Sequence, residues 1–309
     1  MMRTGVRAVL VTVLSAIALT ALVVPAQAAV PGARTGVDVS WPQCEVRPPT
    51  GFAFAVVGVN GGTASNTNPC LADQLAWASS STTGTAPDQP RVQLYVNTAN
   101  PGQVLEEYAV TTWPTDDVDP RGTRSGDATA VAQRNPYGAC TATVGRGLGS
   151  NDLACSWQYG WNRAVESVDD RLAPAAREAG LSDAASDYTW WLDVETMNSW
   201  QEDDPSALAR NAATLEGMTQ FYLSEGVQTV GLYSTRYQWR QIVGSTLDLE
   251  AGSTPVVGGV LLGLPSWLAG ASDAEDANLR CAAAAGLTGG PVVMVQHIVE
   301  DLDHNESCG

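Results

Sequence analysis

The chain of 309 residues contains no lysine, and histidine occurs only twice, as His297 and His304. Without lysine the protein can form neither a Schiff base with a substrate nor a phosphate-binding P-loop. The ligand spacing of a zinc site is missing, because no C-x-x-C pair occurs and both histidines lie near the C-terminus. No stretch has the spacing of a calcium-binding loop, and no G-x-G-x-x-G follows a strand pattern. We therefore expect no metal and no organic cofactor.

Long apolar runs are equally scarce, and the single one lies at the N-terminus. Residues 8–24 are mostly apolar, follow two arginines, and precede a proline and the small-residue pattern A-Q-A that ends at Ala28. This order is typical of a secretory signal peptide, whereas an uncleaved membrane anchor would need neither the proline nor the cleavage pattern. We expect a signal peptide over residues 1–28 and a secreted protein with one domain over residues 29–309.

Basic residues are few, with 16 Lys and Arg against 33 Asp and Glu, so the formal net charge is −17. Removal of Arg3 and Arg7 with the signal peptide leaves 14 basic residues against the same 33 acidic ones, a formal charge of −19. Such a charge disfavours nucleic acid and anionic membrane surfaces, and we expect neither as a partner. The chain also has no wall-anchoring repeat or basic tail, so we expect a freely secreted monomer.

Six cysteines lie in the predicted mature part of the chain. An even number in an exported protein indicates three disulfides, although six cysteines allow about 15 different sets of pairs. We favour the sequential set, because each bridge would then tie a local loop or terminus. The pairs are Cys44 with Cys70, Cys140 with Cys155, and Cys281 with Cys308.

Seven short apolar segments have the composition of buried strands, and helical patterns separate several of them. The strand segments are 36–40, 52–60, 91–97, 189–195, 229–234, 265–270 and 292–298. Near-continuous apolar runs of this kind are typical of a parallel sheet covered on both faces. Helices are predicted over 157–180, from Asp204 to Gly226, and from Ser272 onwards. The alternation predicts an α/β fold, either a (β/α) barrel of the TIM type or a doubly wound sheet, and the missing nucleotide motif favours the barrel.

A long polar segment, residues 111–156, separates the third and fourth predicted strands and is rich in proline and glycine. Loops of this length are usually functional or disordered. A bridge between Cys140 and Cys155 would close a short loop inside the segment. We therefore predict a disulfide-tied insertion that forms a flap beside a pocket.

Polar residues collect at the carboxyl ends of the predicted strands, which in a parallel barrel meet at one rim where catalytic side chains lie. In the stretch TWWLDVE, residues 189–195, alternation places Asp193 and Glu195 on one face at the end of an apolar strand. Carboxylates that converge on one mouth raise at least one pKa, which is what the general acid of glycosidic cleavage needs. The residues predicted to meet here are Asp38, Asn97, Asp193, Glu195, Tyr233, Trp267, Gln296, Asp301 and Asp303.

Five motifs, taken in order, resemble the glycoside hydrolase family 25 lysozymes. They are GVDVS at 36–40, LDVE at 192–195, GLYST at 231–235, WLA at 267–269, and VQ at 295–296 followed by D-x-D-x-N at 301–305. The motifs extend along almost the whole mature chain, and the chain also resembles a group of uncharacterised exported actinobacterial relatives of that family. The resemblance implies a (β/α)-barrel muramidase that cuts the β-1,4 bond after N-acetylmuramic acid in peptidoglycan.

The resemblance also implies catalytic roles for single residues. Glu195 is similar to the general acid that protonates the leaving oxygen. Asp193 is similar to the neighbour that orients the substrate acetamido group or stabilises the oxocarbenium-like centre. Asp38 resembles the first-strand aspartate of the same cluster. Asp303 best matches the terminal aspartate, and a register with Asp301 in that role stays open.

Two aromatic residues, Tyr233 and Trp267, resemble pocket-lining side chains of the family whose faces would pack on sugar rings. The chain departs from the family where Trp-Gln-Tyr is usual and residues 295–297 read VQH, and where Tyr-His-Phe is usual and residues 95–97 read YVN. Both departures remove stacking surface. The predicted substrate-binding residues are Asn97, Tyr233, Trp267, Gln296 and Asp301.

Two functions from different classes follow from these observations. The first is an exported glycoside hydrolase that cleaves peptidoglycan or a related amino-sugar glycan by carboxylate general-acid catalysis. The alternative is a catalytically silent barrel that binds wall glycan or another exported protein, because the lost aromatics and the insertion are what a repurposed groove would show.

Overall fold

The computed structural model describes residues 34–46, 48–103, 113–122, 135–143, 149–202, 204, 206–244 and 259–309. The helices and strands below belong to one compact unit, Pro31–Gly309. The predicted signal peptide and three parts of the predicted insertion lie outside the described residues. Within the described part of the chain, no helix has the length and apolar character needed to cross a membrane.

Eight strands close into a barrel in which neighbours in sequence are neighbours in space, and the last strand pairs with the first. They are β1 (Thr35–Val39), β2 (Ala55–Gly58), β3 (Val92–Asn97), β4 (Trp190–Asp193), β5 (Val230–Ser234), β6 (Ser266–Ala271), β7 (Val292–Val299) and β8 (Leu302–Ser307). Strands β1 to β7 run parallel, whereas β8 is antiparallel to both β7 and β1. The seven predicted strands are present, and β8 is an addition that the sequence patterns did not predict.

The closed barrel and the mixed α/β content are confirmed, but the regular (β/α) barrel expected from the sequence is not. A regular barrel places a helix after every strand, whereas β7 turns directly into β8 through Glu300 and Asp301. These two residues have φ angles of 49° and 65°, and a two-residue hairpin turn of type I′ requires positive φ at both positions. The described residues between β1 and β2 likewise form only a short 3-10 turn, Trp41–Gln43.

Six α-helices surround the barrel among the described residues. They are α1 (Leu71–Ser81), α2 (Leu153–Glu166), α3 (Ala173–Glu178), α4 (Ala207–Ser224), α5 (Arg236–Ile242) and α6 (Ala274–Ala283). A π-helical segment, Ser167–Leu172, joins α2 to α3. Helix α2 begins before the predicted start at 157, because the Asp152 side chain caps it by accepting a hydrogen bond from the Cys155 N–H at 2.9 Å. Helix α2 therefore overlaps the last residues of the predicted insertion, 111–156.

Alternation along the strands divides the apolar core into two parts. Outward-facing side chains pack against the helices, and Trp190 stacks on Tyr222 of α4 with ring centroids 4.4 Å apart. Inward-facing side chains, among them Phe54, Trp191 and Met294, fill the barrel.

Helices α2 and α4 pack unusually closely. A methyl group added at Gly160 would lie 1.9 Å from the Thr214 carbonyl oxygen, and one added at Gly217 would lie 2.0 Å from the Trp157 carbonyl oxygen. Side chains at these positions would hold the two backbones apart. Glycine is therefore required sterically at both positions of this contact.

Three disulfides join Cys44 to Cys70, Cys140 to Cys155, and Cys281 to Cys308, which is the sequential set favoured above. The Cys140–Cys155 bridge fastens the described segment 135–143 to helix α2. Disulfides persist in oxidising compartments, so the three bridges fit an extracellular location.

The described parts of the insertion pack on the helical layer. Trp113 stacks on Tyr159 of α2 with ring centroids 5.3 Å apart. Arg121 forms ion pairs at 2.7 Å with both Asp169 and Glu225. The other segments of the predicted flap lie outside the described residues, so its contact with a pocket stays a prediction.

Candidate active site at the carboxyl ends of the strands

The carboxyl ends of β1, β3, β4 and β5 bring polar side chains to one end of the barrel. Strand pairing sets Asn97 beside Asp193, Asp193 beside Tyr233, and Asp38 beside Asp303 of the antiparallel strand β8. All of these belong to the inward-facing alternation of their strands. The structure therefore gathers most of the predicted residues, which are far apart in sequence, at a single mouth.

Asp38 is buried and holds two amide donors on one oxygen. Its Oδ2 accepts hydrogen bonds from Asn305 Nδ2 at 2.7 Å and from Gln296 Nε2 at 3.0 Å. Burial raises the pKa of Asp38 well above its usual range, and the negative charges of Asp303 and Glu195 raise it further, while the two donors oppose the shift. The two amide donors thus orient the buried carboxyl group of Asp38 and offset part of the rise in its pKa.

Asp193 is the most deeply buried carboxyl group of the mouth, with 3% of its surface exposed. Its Oδ2 accepts a hydrogen bond from Asn97 Nδ2 at 2.5 Å, while Oδ1 has no hydrogen-bond partner among the described residues. Burial is the main cause that raises the pKa of Asp193 well above its usual range, followed by the negative charge of Glu195. A buried carboxyl oxygen without a donor favours the protonated acid until a ligand supplies one.

Glu195 follows β4 and is half-buried, so a ligand at the mouth can reach it. The strand was predicted to extend through Glu195 but ends at Asp193; a hydrogen bond from Trp200 Nε1 to the Glu195 carbonyl oxygen, at 2.9 Å, fixes the chain beyond it. Burial raises the pKa of Glu195, a hydrogen bond with Gln238 opposes this shift, and the negative charge of Asp303 adds to it. Glu195 therefore combines a raised pKa with access, which a general acid requires.

The hairpin of β7 and β8 separates the two aspartates that the sequence left as alternatives. Asp303 is half-buried, pairs in register with Asp38, and has a pKa raised by burial. Asp301 is exposed in the turn, with φ 65°. Of the two residues, Asp303 is the one whose negative charge acts on both Asp38 and Glu195.

The two predicted aromatic platforms lie deeper than the acids. Trp267 is 1% exposed, and its ring centroid lies 4.3 Å from that of Tyr233. Tyr233 is 9% exposed, and its hydroxyl donates to Gln296 Oε1 at 2.8 Å. Because Trp267 is covered by protein on both faces, we no longer expect a sugar ring to stack on it.

Three residues of this end of the barrel were missing from the predicted set. Asn305 donates to Asp38, and its position two residues after Asp303 was an available signal, because alternate residues of a strand share a face. Tyr95 packs over Gly58, where an added methyl group would lie 2.6 Å from the tyrosine ring. Gln238 acts on Glu195 from helix α5, and no sequence pattern indicates this contact.

The mouth thus combines four carboxyl groups with raised pKa and the amide side chains that donate to them. Among the described residues, no group of three or more His, Cys, Asp or Glu side chains is arranged to hold a metal ion. Such a site can store a proton on a carboxyl group, accept hydrogen bonds from a polar ligand, and stabilise a positive charge.

No protein-family model and no curated protein matches the chain. Solved structures are similar to it: a muramidase from Trichobolus zukalii is 13% identical with a TM-score of 0.45, over 89% of this chain and 93% of that one. A bacterial lysozyme from Streptomyces coelicolor is 12% identical with a TM-score of 0.41, over 89% and 92%. The modular autolysin LytC from Streptococcus pneumoniae, in complex with a synthetic peptidoglycan ligand, is 10% identical with a TM-score of 0.43, over 88% and 46%. These similarities concern the course of the backbone, and the chemistry rests on the side chains described above.

Proposed function

We propose that this protein is an exported glycoside hydrolase that cleaves peptidoglycan or a related amino-sugar glycan, in the manner of a muramidase. The observation that carries the proposal is the half-buried carboxyl group of Glu195, whose pKa is raised, beside the buried Asp193 at the open end of the barrel. The choice of an amino-sugar substrate rests on the ordered motifs that resemble family 25 lysozymes.

The proposed reaction uses only side chains of the chain, its substrate and water. Glu195 donates its proton to the glycosidic oxygen while the bond from that oxygen to the anomeric carbon breaks. Asp193, or the acetamido oxygen of the substrate, stabilises the positive charge that develops on the sugar ring. A water molecule then adds to the anomeric carbon and returns a proton to Glu195. The negative charge of Asp303 favours the protonated form of Glu195 before the reaction.

A catalytically silent barrel that binds wall glycan or another exported protein is the second candidate. Two observations favour it: Trp267 has no exposed face, and His297, which stands where the family has an aromatic next to the glutamine, is buried. Both reduce the surface on which sugar rings stack.

The test is the release of reducing ends from purified peptidoglycan by the mature, oxidised protein. The Glu195→Gln variant should lose activity by about 10²–10⁴-fold, which is the usual contribution of a general acid. Glu202→Gln is the matched control, because Glu202 is an exposed glutamate on the same connection after β4. A folded Glu195→Gln protein with full activity would overturn the assignment. If neither wild type nor variant releases reducing ends, retention of the folded protein on wall material would identify the binding barrel.

A further inference from the structure

Tyr233 stands in a chain of hydrogen bonds that leads to Asp38. Its hydroxyl donates to Gln296 Oε1 at 2.8 Å, and Gln296 Nε2 donates to Asp38 Oδ2 at 3.0 Å. The three residues come from β5, β7 and β1, and all three are buried. The tyrosine ring is fixed in turn by its contact with Trp267 at 4.3 Å between centroids.

The order of donors in this chain sets the orientation of the glutamine amide. A glutamine side chain can present either its oxygen or its NH₂ group to a neighbour. The Asp38 carboxylate only accepts hydrogen bonds, so the NH₂ group points at Asp38. The tyrosine hydroxyl donates to the remaining Oε1 and so holds the amide in this orientation. Because Asn305 Nδ2 donates to the same Oδ2 atom, any proton that Asp38 takes up is directed to Oδ1.

We propose that Tyr233 is a positioning residue that acts through Gln296 to orient Asp38 and to favour its ionised form. This replaces the role of a sugar platform that the sequence resemblance implied for Tyr233. The catalytic consequence rests on the proposed function, since Asp38 matters for turnover only if the cluster is an active site. The hydrogen-bond chain itself does not depend on that function.

The charged and titratable groups that face Asp38 come from several strands. Asp303 of β8 and Glu195 after β4 are the negative charges that act on Asp38, and Asp193 interacts with it across the mouth. Tyr95 of β3 is the other phenol within electrostatic range, and it forms its own hydrogen bond with Ser40. None of these groups donates a hydrogen bond to Gln296 among the described residues, so the tyrosine hydroxyl is the specific partner to remove.

The Tyr233→Phe substitution removes that hydroxyl and keeps the buried ring. Gln296 is then free to rotate, and Asp38 loses a donor that favours its charged form, so the pKa of Asp38 should rise. In a Gln296→Leu background the same substitution should have no further effect on Asp38, because the connecting amide is gone. Tyr222→Phe is the matched control, since it removes a buried phenol hydroxyl from the outer core, where the ring stacks on Trp190.

The experiment is a carboxyl ¹³C NMR titration of the full mature protein labelled at aspartate, with the Asp38 signal assigned from Asp38→Asn. An upward shift of the Asp38 titration in Tyr233→Phe, absent in Tyr222→Phe, supports the proposal. An unchanged Asp38 titration, or an equal shift in the Gln296→Leu background, overturns it. The readout needs no turnover, so an inactive protein would refute the proposed function and leave this test intact. If the protein is active, the kcat of Tyr233→Phe should fall below that of the wild type at low pH, with KM unchanged. The reason is that the low-pH limb of the kcat profile moves to higher pH with the pKa of Asp38.

Discussion

Replacement of Asp193 by asparagine should change how the stability of the protein depends on pH. Asp193 is 3% exposed, and burial together with the charge of Glu195 raises its pKa in the folded state. A group with a raised folded pKa stabilises the fold fully below its unfolded pKa of about 4, and this contribution is lost as the pH rises through the folded pKa. The wild-type protein therefore carries a penalty near neutral pH that the Asp193→Asn variant does not carry.

The size of this effect follows from the protonation linkage. Each unit by which the folded pKa exceeds the unfolded pKa removes about 1.4 kcal/mol of stability once the pH lies above both values. For a domain of this size 1 kcal/mol corresponds to about 2–4 °C in Tm, so each unit changes Tm by about 3–6 °C. Asparagine can still accept the hydrogen bond from Asn97, but its new N–H takes the place of Oδ1, which has no partner. An unsatisfied buried donor costs about 1–3 kcal/mol at every pH, so only the slope against pH reports ionisation.

The assay is differential scanning calorimetry of both proteins from pH 4 to pH 8. The Tm of Asp193→Asn minus that of the wild type should increase steadily with pH. Asp204→Asn is a control of opposite sign: the pKa of the exposed Asp204 is held low by hydrogen bonds with Arg210 and Ser206. That variant should be less stable than the wild type throughout this range, and the difference should shrink only when the pH falls below the unfolded pKa of about 4. A constant Tm difference for Asp193→Asn over the whole range would refute the reasoning.

Two further predictions concern the scaffold around the mouth. Gly160→Ala should lower the free energy of unfolding by about 1–3 kcal/mol, because the new methyl group would lie 1.9 Å from the Thr214 carbonyl oxygen. Urea denaturation measures this loss. Gly180→Ala is the control that reports backbone strain alone, because φ at Gly180 is 69° and the space around it is open. Equal losses in the two variants would contradict a steric origin. Replacing Cys140 and Cys155 together by serine should remove about 3 kcal/mol by releasing the short loop they close, and an unchanged denaturation midpoint would mean that other contacts already hold the loop.

The Asp193 prediction reflects a general feature of the mouth, which is built at the expense of stability. Burial and mutual repulsion hinder the ionisation of its carboxyl groups. The amides of Asn97, Gln296 and Asn305 orient these groups by hydrogen bonds. Proteins retain such costly arrangements where a ligand or a reaction uses them. The same amides are therefore the first positions to examine for effects on function that leave the fold intact.

Local patterns in the sequence were sufficient for most of the barrel. Apolar runs of five to nine residues marked strands β1 to β7, because each strand is covered by side chains on both faces. Alternation along β4 also separates Trp190, which faces the helices, from Trp191, which faces the barrel interior. Asp193 is likewise placed by alternation alone, since it follows Trp191 by two positions.

Strand β8 was not predicted because its sequence, LDHNES, has no apolar run. Its strand conformation comes from hydrogen bonding to neighbours on both sides, and its polar inward side chains suit a mouth that is itself polar. Propensity is a weak guide where cross-strand partners decide the conformation. The sequence therefore predicted a regular (β/α) barrel and missed the antiparallel strand β8.

The sequence by itself determined strands β1 to β7, the disulfide-compatible cysteines, and the concentration of acids at strand ends, since each depends on neighbours along the chain. Only the tertiary structure decided which acid joins the mouth and which donor holds it. The antiparallel return of β8 brings Asn305 to Asp38 across 267 positions of sequence, places Asp303 in register with Asp38, and leaves Asp301 in the exposed turn. Hydrogen bonds and charge interactions depend on distance in space, and closure of the barrel is what sets those distances.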